Sequence, residues 1–277
     1  MGSNSHEPVL LAEVIDLLHV RDRLHLKKAH KYIDATLGAG GYTKAICELG
    51  GLVLSIDTDK KMIEIAKKNL SGVGGYKIAQ GNFRNIAEIA KVNDFTEVSG
   101  IVFDLGVSSI HFLEDGRGFS FQDKEAPLDM RLDPESQGVK ASDLLNSLRE
   151  DQLSEVLGRN LSQKVVEKRV TKPFSQVGDL VDLIGQKRVG RIHPATEAFM
   201  ALRIAVNGEL ENLKEALPQA YSLLRPGGKL IVVTFHSGED RIVKKFMKNS
   251  EIVLPKKEEI ERNPKARSAK LRCIEKF

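Results

Sequence analysis

Apolar positions in the first hundred residues follow two rhythms that alternate along the chain. Leu10, Leu11, Val14, Ile15 and Leu18 recur at the spacing of one helix face, so the sequence opens with a helix. Tyr32-Ile33-Asp34 reads as a short strand, followed by the turn Gly38-Ala39-Gly40-Gly41 and a helix through Leu49. Leu52 to Ile56 is a second buried strand ending at Asp57. Lys61 to Leu70 is a helix with Met62, Ile63, Ala66 and Leu70 turned inward. Tyr76 to Ala79 and Ile101-Val102-Phe103 supply a third and a fourth strand, the latter ending at Asp104. Strands alternating with helices imply a parallel sheet covered by helices on both faces.

The alternation then stops. From about Leu113 to Arg191 no apolar strand of comparable quality occurs. Loops are followed by helices over Ala141 to Leu148, Glu150 to Leu157 and Val177 to Ile184. The α/β rhythm resumes with one long helix through Phe199, Leu202, Val206, Leu210, Leu213 and Leu217. The turn Arg225-Pro226-Gly227-Gly228 then leads into the strand Lys229 to Phe235, and Leu271 to Ile274 is expected as a last, edge strand. The organisation predicted is an α/β domain over 1–112 and 192–277, interrupted by a mostly helical substrate-recognition subdomain over 113–191. Internal repeats and low-complexity segments are absent.

The glycine turn lies between a strand and a helix, where ligands bind in open α/β sheets. A dinucleotide fingerprint needs a third glycine at position 43, which is Thr43, and no Gly-Lys-Ser/Thr follows to cradle phosphate. What remains is a glycine turn flanked by carboxylates, Asp34 before it and Asp57 at the next strand end. Asp57 is placed to accept hydrogen bonds from two ribose hydroxyls, and carboxylates suit a cationic ligand. S-adenosylmethionine, a sulfonium without phosphate, meets both conditions. The plainer alternative is a structural glycine turn with a helix-capping aspartate.

Asp104-Leu-Gly-Val-Ser-Ser109 follows the fourth strand on the same sheet edge as Gly40 and Asp57. An aromatic amine is a poor nucleophile because its lone pair is delocalised into the ring. A carboxylate held beside it accepts an N–H and favours a pyramidal, attacking nitrogen, so Asp104 is the leading catalytic candidate. Ser108 and His236 are the alternatives. His236 follows the fifth strand, either lining a base pocket or serving as a structural histidine. Phe119 and Phe121 are candidates to stack on an extruded base, with core packing as the other reading.

Composition narrows the field. Hydrophobic residues make up 41% of the 277, an ordinary share for a globular protein, and aromatics only 5% with no Trp, which disfavours a stacking-rich all-β binder. The longest apolar runs, such as Leu230 to Val233, are far too short to cross a bilayer. Met1 to His6 lacks the apolar core of a signal peptide, and His6 stands where a myristoylation motif needs Ser or Thr, so neither is expected. Cys47 and Cys273 form neither a disulfide framework nor a metal-ligand spacing, pointing to a reducing, cytoplasmic setting without a bound metal. The net charge of +4 is unevenly placed: residues 241–277 hold 12 Lys and Arg against 5 Asp and Glu, leaving the rest of the chain slightly acidic. Such a tail fits a polyanion, with Lys244, Lys245, Lys248, Lys265, Arg267 and Lys270 as candidate phosphate contacts; a merely solvated surface is the alternative.

Several segments occur in order and together are highly specific: His6-Glu-Pro-Val-Leu-Leu-Ala-Glu13, Asp34-Ala-Thr-Leu-Gly-Ala-Gly-Gly41, the Asp104 to Ser109 segment, Arg117-Gly-Phe-Ser-Phe121, Pro127-Leu-Asp-Met-Arg131, His193-Pro-Ala-Thr196, Phe235-His-Ser237 with Glu239-Asp-Arg241, and Asn263-Pro-Lys-Ala-Arg-Ser268. Over nearly its whole length the chain resembles the bacterial ribosomal RNA small-subunit methyltransferase H family, also called MraW. The resemblance implies a class I Rossmann-like methyltransferase sheet with a helical insertion. It further implies S-adenosylmethionine as cofactor, and N4-methylation of a cytidine in 16S rRNA of the small ribosomal subunit. By the same resemblance, cofactor contacts fall on Gly40, Gly41, Tyr42, Asp57, Phe83, Asp104 and His111. The chain departs from the family in carrying Tyr42 after its paired glycines instead of His, and Ser109-Ile110-His111 instead of Ser-Ser-Pro-Gln. Gly238 replaces Leu, and the family's Arg-rich insertion helix is reduced to Gly158-Arg-Asn-Leu-Ser-Gln-Lys-Val-Val-Glu-Lys-Arg169. The sequence leaves a homodimer open, and no membrane partner is expected.

Overall fold

The computed structural model describes residues 8–20, 30–113, 116–185 and 193–277. His6 and Glu7 of the opening motif, and Arg191 at the expected end of the insertion, lie outside the described residues. In chain order the helices and strands are α1 (Leu11–Leu17), β1 (Lys31–Asp34), α2 (Gly41–Glu48), β2 (Leu52–Asp57), α3 (Lys60–Asn69), β3 (Tyr76–Gln80), α4 (Ile86–Val92), β4 (Val98–Asp104), α5 (Ser109–Leu113), α6 (Ala141–Ser147), α7 (Glu150–Leu157), α8 (Arg159–Thr171), α9 (Val177–Ile184), α10 (Ala195–Asn207), α11 (Glu209–Leu223), β5 (Leu224–Thr234), α12 (Ser237–Phe246), β6 (Glu251–Val253), α13 (Lys257–Arg262) and β7 (Lys270–Glu275). They fall into two compact units, a sheet unit of residues 1–107 and 210–277 and a helical unit of residues 108–209.

In the sheet unit the strand order is β3-β2-β1-β4-β5-β7-β6. The first five are parallel to one another, and β7 runs antiparallel to both β5 and β6. Alternate residues of the central strands feed two apolar layers, because successive side chains leave a strand on opposite faces. Ile101, Phe103, Leu230 and Val232 pack with Ile86, Leu213, Leu217 and Val243 on one side. Val102, Ile231 and Val233 pack with Val14, Ile15, Ile46 and Leu271 on the other. Burial on both faces explains why β4 and β5 read as continuous apolar runs.

The sequence expected an edge strand at Leu271 to Ile274. Instead β7 is interior, flanked by β5 and by the three-residue β6, which is too short and too exposed to leave a periodic signal. This antiparallel insertion matters for function. It brings the start of β7 to the sheet edge where β4 and β5 end, since Asp104 is in register with Val233, and Val233 with Leu271.

The helical unit also differs from expectation at its borders. The single long helix through Phe199 and Leu217 is two helices, α10 and α11, parted at Gly208, which takes a left-handed cap conformation. Helix α10, expected in the sheet domain, packs on α6 and α7 and so belongs to the helical unit. Within that unit two of the sequence motifs are stapled together. Arg117 Nη1 donates to the carbonyls of Arg131 and Leu132, both at 2.9 Å, and the Met130 amide donates to the Arg117 carbonyl. The Asn207 side chain donates to the Met130 carbonyl and accepts from the Leu132 amide.

Candidate active site

The glycine turn bends between β1 and α2. Gly40, the residue before α2, sits at φ +89°, a conformation L side chains rarely adopt. Gly41 is required by a close approach: a Cβ there would fall 2.2 Å from Pro8 Cγ. On the other side the turn is open, since a Cβ on Gly38 would meet nothing nearer than the Thr36 carbonyl oxygen at 3.8 Å. The N-terminal segment is thus seated on the turn. The Tyr42 hydroxyl donates to the Val9 carbonyl, and the Leu10 amide donates to Glu259 Oε1 at 2.6 Å.

Asp57, at the end of β2, ties the turn from below. Its Oδ2 accepts from the Gly38 amide and its Oδ1 from the Asp59 amide, both at 2.9 Å. Phe83 follows β3 on the same edge, in a single 3-10 turn capped by Asn82, with its ring edge-on to Phe103 at 5.6 Å. Gly38, Asp57 and Phe83 therefore line the carboxyl ends of three adjacent strands. An open glycine turn beside a carboxylate fits a cationic nucleoside.

The ends of β1 and β4 hold two acids, Asp34 buried and Asp104 half-buried. Asp34 is fully buried; its Oδ2 accepts from Thr43 Oγ1 at 2.7 Å and its Oδ1 from the Thr36 amide at 3.3 Å. Burial pushes its carboxyl up to about 6 despite these bonds. Asp104 is held by its backbone, whose amide donates to Thr36 Oγ1 at 2.7 Å. Its carboxylate is another matter: Oδ1 is buried and accepts no hydrogen bond among the described residues. Burial, then the negative charges of Asp34 and Glu239, push the Asp104 carboxyl up to about 8, with Lys265 opposing them. Native proteins rarely leave a buried acceptor unmatched, and such an atom at a ligand-binding sheet edge is a candidate for contact with a substrate.

His236 precedes α12 on that same edge. Its Nδ1 accepts from the Glu239 amide at 3.4 Å while Glu239 Oε2 accepts from the amides of Phe235 and His236, a reciprocal cap. His236 Nε2 lies 3.1 Å from Glu239 Oε1 but off the angle of a hydrogen bond. Of the two readings open from the sequence, the structural one accounts for the Nδ1 side of the ring.

A family model for the MraW methylase family matches residues 3–257. The chain belongs to the MraW methylase family. It is similar to the ribosomal RNA small subunit methyltransferase H of Dictyoglomus thermophilum, at 40% identity over 98% of this chain and 96% of that one. It is also similar to the proteins of the same name from Thermomicrobium roseum, 39% identical over 99% and 94% of the two chains, and from Dehalococcoides mccartyi strain BAV1, 39% identical over 98% and 86%. The chain is accordingly a methyltransferase whose cofactor is S-adenosylmethionine, and Gly38, Gly40, Asp57 and Phe83 stand at or just beyond the carboxyl ends of the strands, the edge that ligands approach in open α/β sheets.

Two residues expected at the cofactor have side chains with protein partners. Tyr42 is buried, and its hydroxyl is committed to Val9, so its side chain anchors the N-terminal segment instead of facing a ligand. His111 is buried in the helical unit against Phe119, with ring centroids 5.2 Å apart. Ser108 caps the start of α5, its Oγ accepting from the Ile110 amide at 3.3 Å. Of the two aromatics considered for base stacking, Phe119 is core, whereas Phe121 is half-buried and stacked on His193 at 4.7 Å. Among the tail cations, Lys270 is paired with Asp240 at 3.1 Å beside Arg272, while Lys244, Lys245, Lys248, Lys265 and Arg267 are exposed. Sequence reasoning missed Thr36 and Glu239, which act on Asp104 from 68 and 135 positions away; no local pattern links such distant residues.

Proposed function

We propose that this chain methylates the N4 amine of a cytidine in 16S rRNA of the small ribosomal subunit, with Asp104 as the acceptor that readies the amine. The buried, unmatched Oδ1 of Asp104 at the end of β4 carries this reading. S-adenosylmethionine, when bound, supplies an electrophilic methyl on a sulfonium. The tasks left to the protein are orientation and charge. Asp104 accepts an N–H of the cytosine amine and draws the nitrogen's lone pair out of the ring toward the reacting methyl. As the nitrogen becomes cationic, the same carboxylate stabilises it more strongly than it did the neutral amine, which is how a contact raises turnover and not only affinity. The names of the relatives support ribosomal RNA as the substrate, and the exposed cations of the C-terminal segment suit a polyanion. No described helix is long and apolar enough to cross a membrane, in keeping with activity in the cytoplasm. Mass-spectrometric nucleoside analysis of small-subunit RNA, from cells with and without the protein, tests the proposal. N4-methylcytidine should be lost with the protein; an unchanged nucleoside profile overturns the substrate.

A further inference from the structure

The Asn263-Pro-Lys-Ala-Arg-Ser268 motif, read from the sequence only as a source of phosphate contacts, folds as a 3-10 turn, Pro264–Ser268, immediately before β7. Because β7 is antiparallel, its first residues stand at the carboxyl edge of the parallel strands. Leu271 is in register with Val233, and Val233 with Asp104. Ala266 is fully buried in the apolar layer that contains Val102, Val233 and Leu271, and it pins the turn over the ends of β4 and β5. The turn also closes on itself, the Ala266 amide donating to the Asn263 carbonyl at 2.9 Å and the Ala269 amide to the Ala266 carbonyl at 2.9 Å. This places Lys265 above the strand end that bears Asp104.

The charges around Asp104 come from four elements besides its own. Asp34 on β1 and Glu239 on α12 repel a negative Asp104, and the Tyr42 hydroxyl on α2 feels its charge in turn. Lys265, on the turn before β7, is the cation that offsets them. The coupling is mutual: burial draws the Lys265 ammonium down, and Asp104 holds it up. A carboxylate can accept an N–H through both oxygens only when ionised, and here two anions and burial work against that state.

We propose that Lys265 is a positioning residue of the methyl transfer, a counter-charge held over the end of β4 that favours the negative form of Asp104 toward the incoming amine. This inference rests on the reading of Asp104 as the amine's acceptor. It separates Lys265 from the other tail cations. Lys244, Lys245, Lys248 and Arg267 serve RNA affinity, whereas Lys265 serves the charge state of the site.

The test compares the parent with Lys265→Met and Lys265→Arg. The Asp104 carboxyl is followed by carbon-13 NMR in the cofactor-free protein, its signal assigned by its loss in Asp104→Asn. Single-turnover methylation of small-subunit particles is measured against pH at saturating S-adenosylmethionine, beside particle affinity against salt. Lys265→Met should move the Asp104 titration upward by about 0.5–1 pH unit, which lowers the rate about 3–10-fold below the midpoint and restores it at high pH. Lys265→Arg should stay near the parent, and affinity and its salt slope should not change. An unmoved Asp104 titration overturns the proposal, as does a pH-independent rate loss accompanied by a flatter salt slope, which would make Lys265 a phosphate contact. A titration that shifts while the rate profile stays put overturns instead the reading of Asp104 on which the proposal rests.

Discussion

Two aspartates at the carboxyl ends of neighbouring parts of one sheet have opposite surroundings. Asp57, at the end of β2, has a backbone amide on each oxygen and binds two chain segments together. Asp104, at the end of β4, has a buried oxygen with no donor among the described residues and two anions nearby. A carboxylate whose bonds are made within the protein shapes a pocket. One left unmatched is costly to the folded state and is retained where a ligand or substrate completes it. The contrast supports the proposal that gives Asp57 to binding and Asp104 to reaction.

The largest expected effect breaks the comparison at its reactive end. Asp104→Ala should cut turnover by about 100-fold or more, and by far more than it changes RNA affinity, when assayed at saturating cofactor. Asp57→Ala should behave in the opposite way, weakening S-adenosylmethionine binding by about 1.5–3 kcal/mol in calorimetry while leaving saturated turnover nearly intact. Equal losses of affinity and turnover in both variants would erase the distinction.

The folded state should also register the difference. In the unfolded chain both Asp34 and Asp104 titrate near 3.8, whereas in the folded protein they titrate at about 6 and about 8. The folded state therefore keeps protons that the unfolded chain has already released, and stability falls as pH rises from about 4 through about 8. Asp104→Asn removes its share of that slope. The variant should match the parent near pH 4 and exceed it increasingly as pH rises to about 8, read from urea denaturation.

A smaller effect concerns how the glycine turn is supported. Gly41→Ala pushes a methyl into the Pro8 ring and should cost about 1–2 kcal/mol of stability while loosening the N-terminal segment. Proteolysis of that segment, accelerated in the variant, would report the loosening. The smallest change expected is in salt dependence: neutralising Lys244, Lys245, Lys248 and Arg267 together should flatten the fall of RNA affinity with salt without altering saturated turnover.

Much of the sheet was legible because its strands are buried on both faces and its helices on one, so both periods survive in the sequence. The glycine turn and the strand-end aspartates stood out for the same reason, each closing a clear apolar run. The site's remaining parts depend on long-range register. Nothing near Lys265 in sequence indicates that an antiparallel β7 will carry it to Asp104. Nor does Tyr42 reveal on its own that Val9, 33 positions earlier, will accept its hydroxyl bond. The break between α10 and α11 was hidden because Phe199, Leu202, Leu213 and Leu217 keep helical spacing on both sides of Gly208. Nor does the sequence show that the Tyr42 and His111 side chains, which the family resemblance puts at the cofactor, are buried with partners within the protein.

The measurement that bears most directly on Asp104 is the pH dependence of single-turnover methylation, at saturating S-adenosylmethionine, for the parent and for Asp104→Asn. An acceptor must be ionised, and this one is pushed toward its neutral form, so the parental rate should climb steadily between about pH 6 and pH 9. Asp104→Asn, isosteric but without a carboxylate, should be slow and flat across the same range. A parent whose rate ignores pH, or a variant that keeps both the parental rate and its slope, would contradict the assignment of Asp104 as the group that meets the amine.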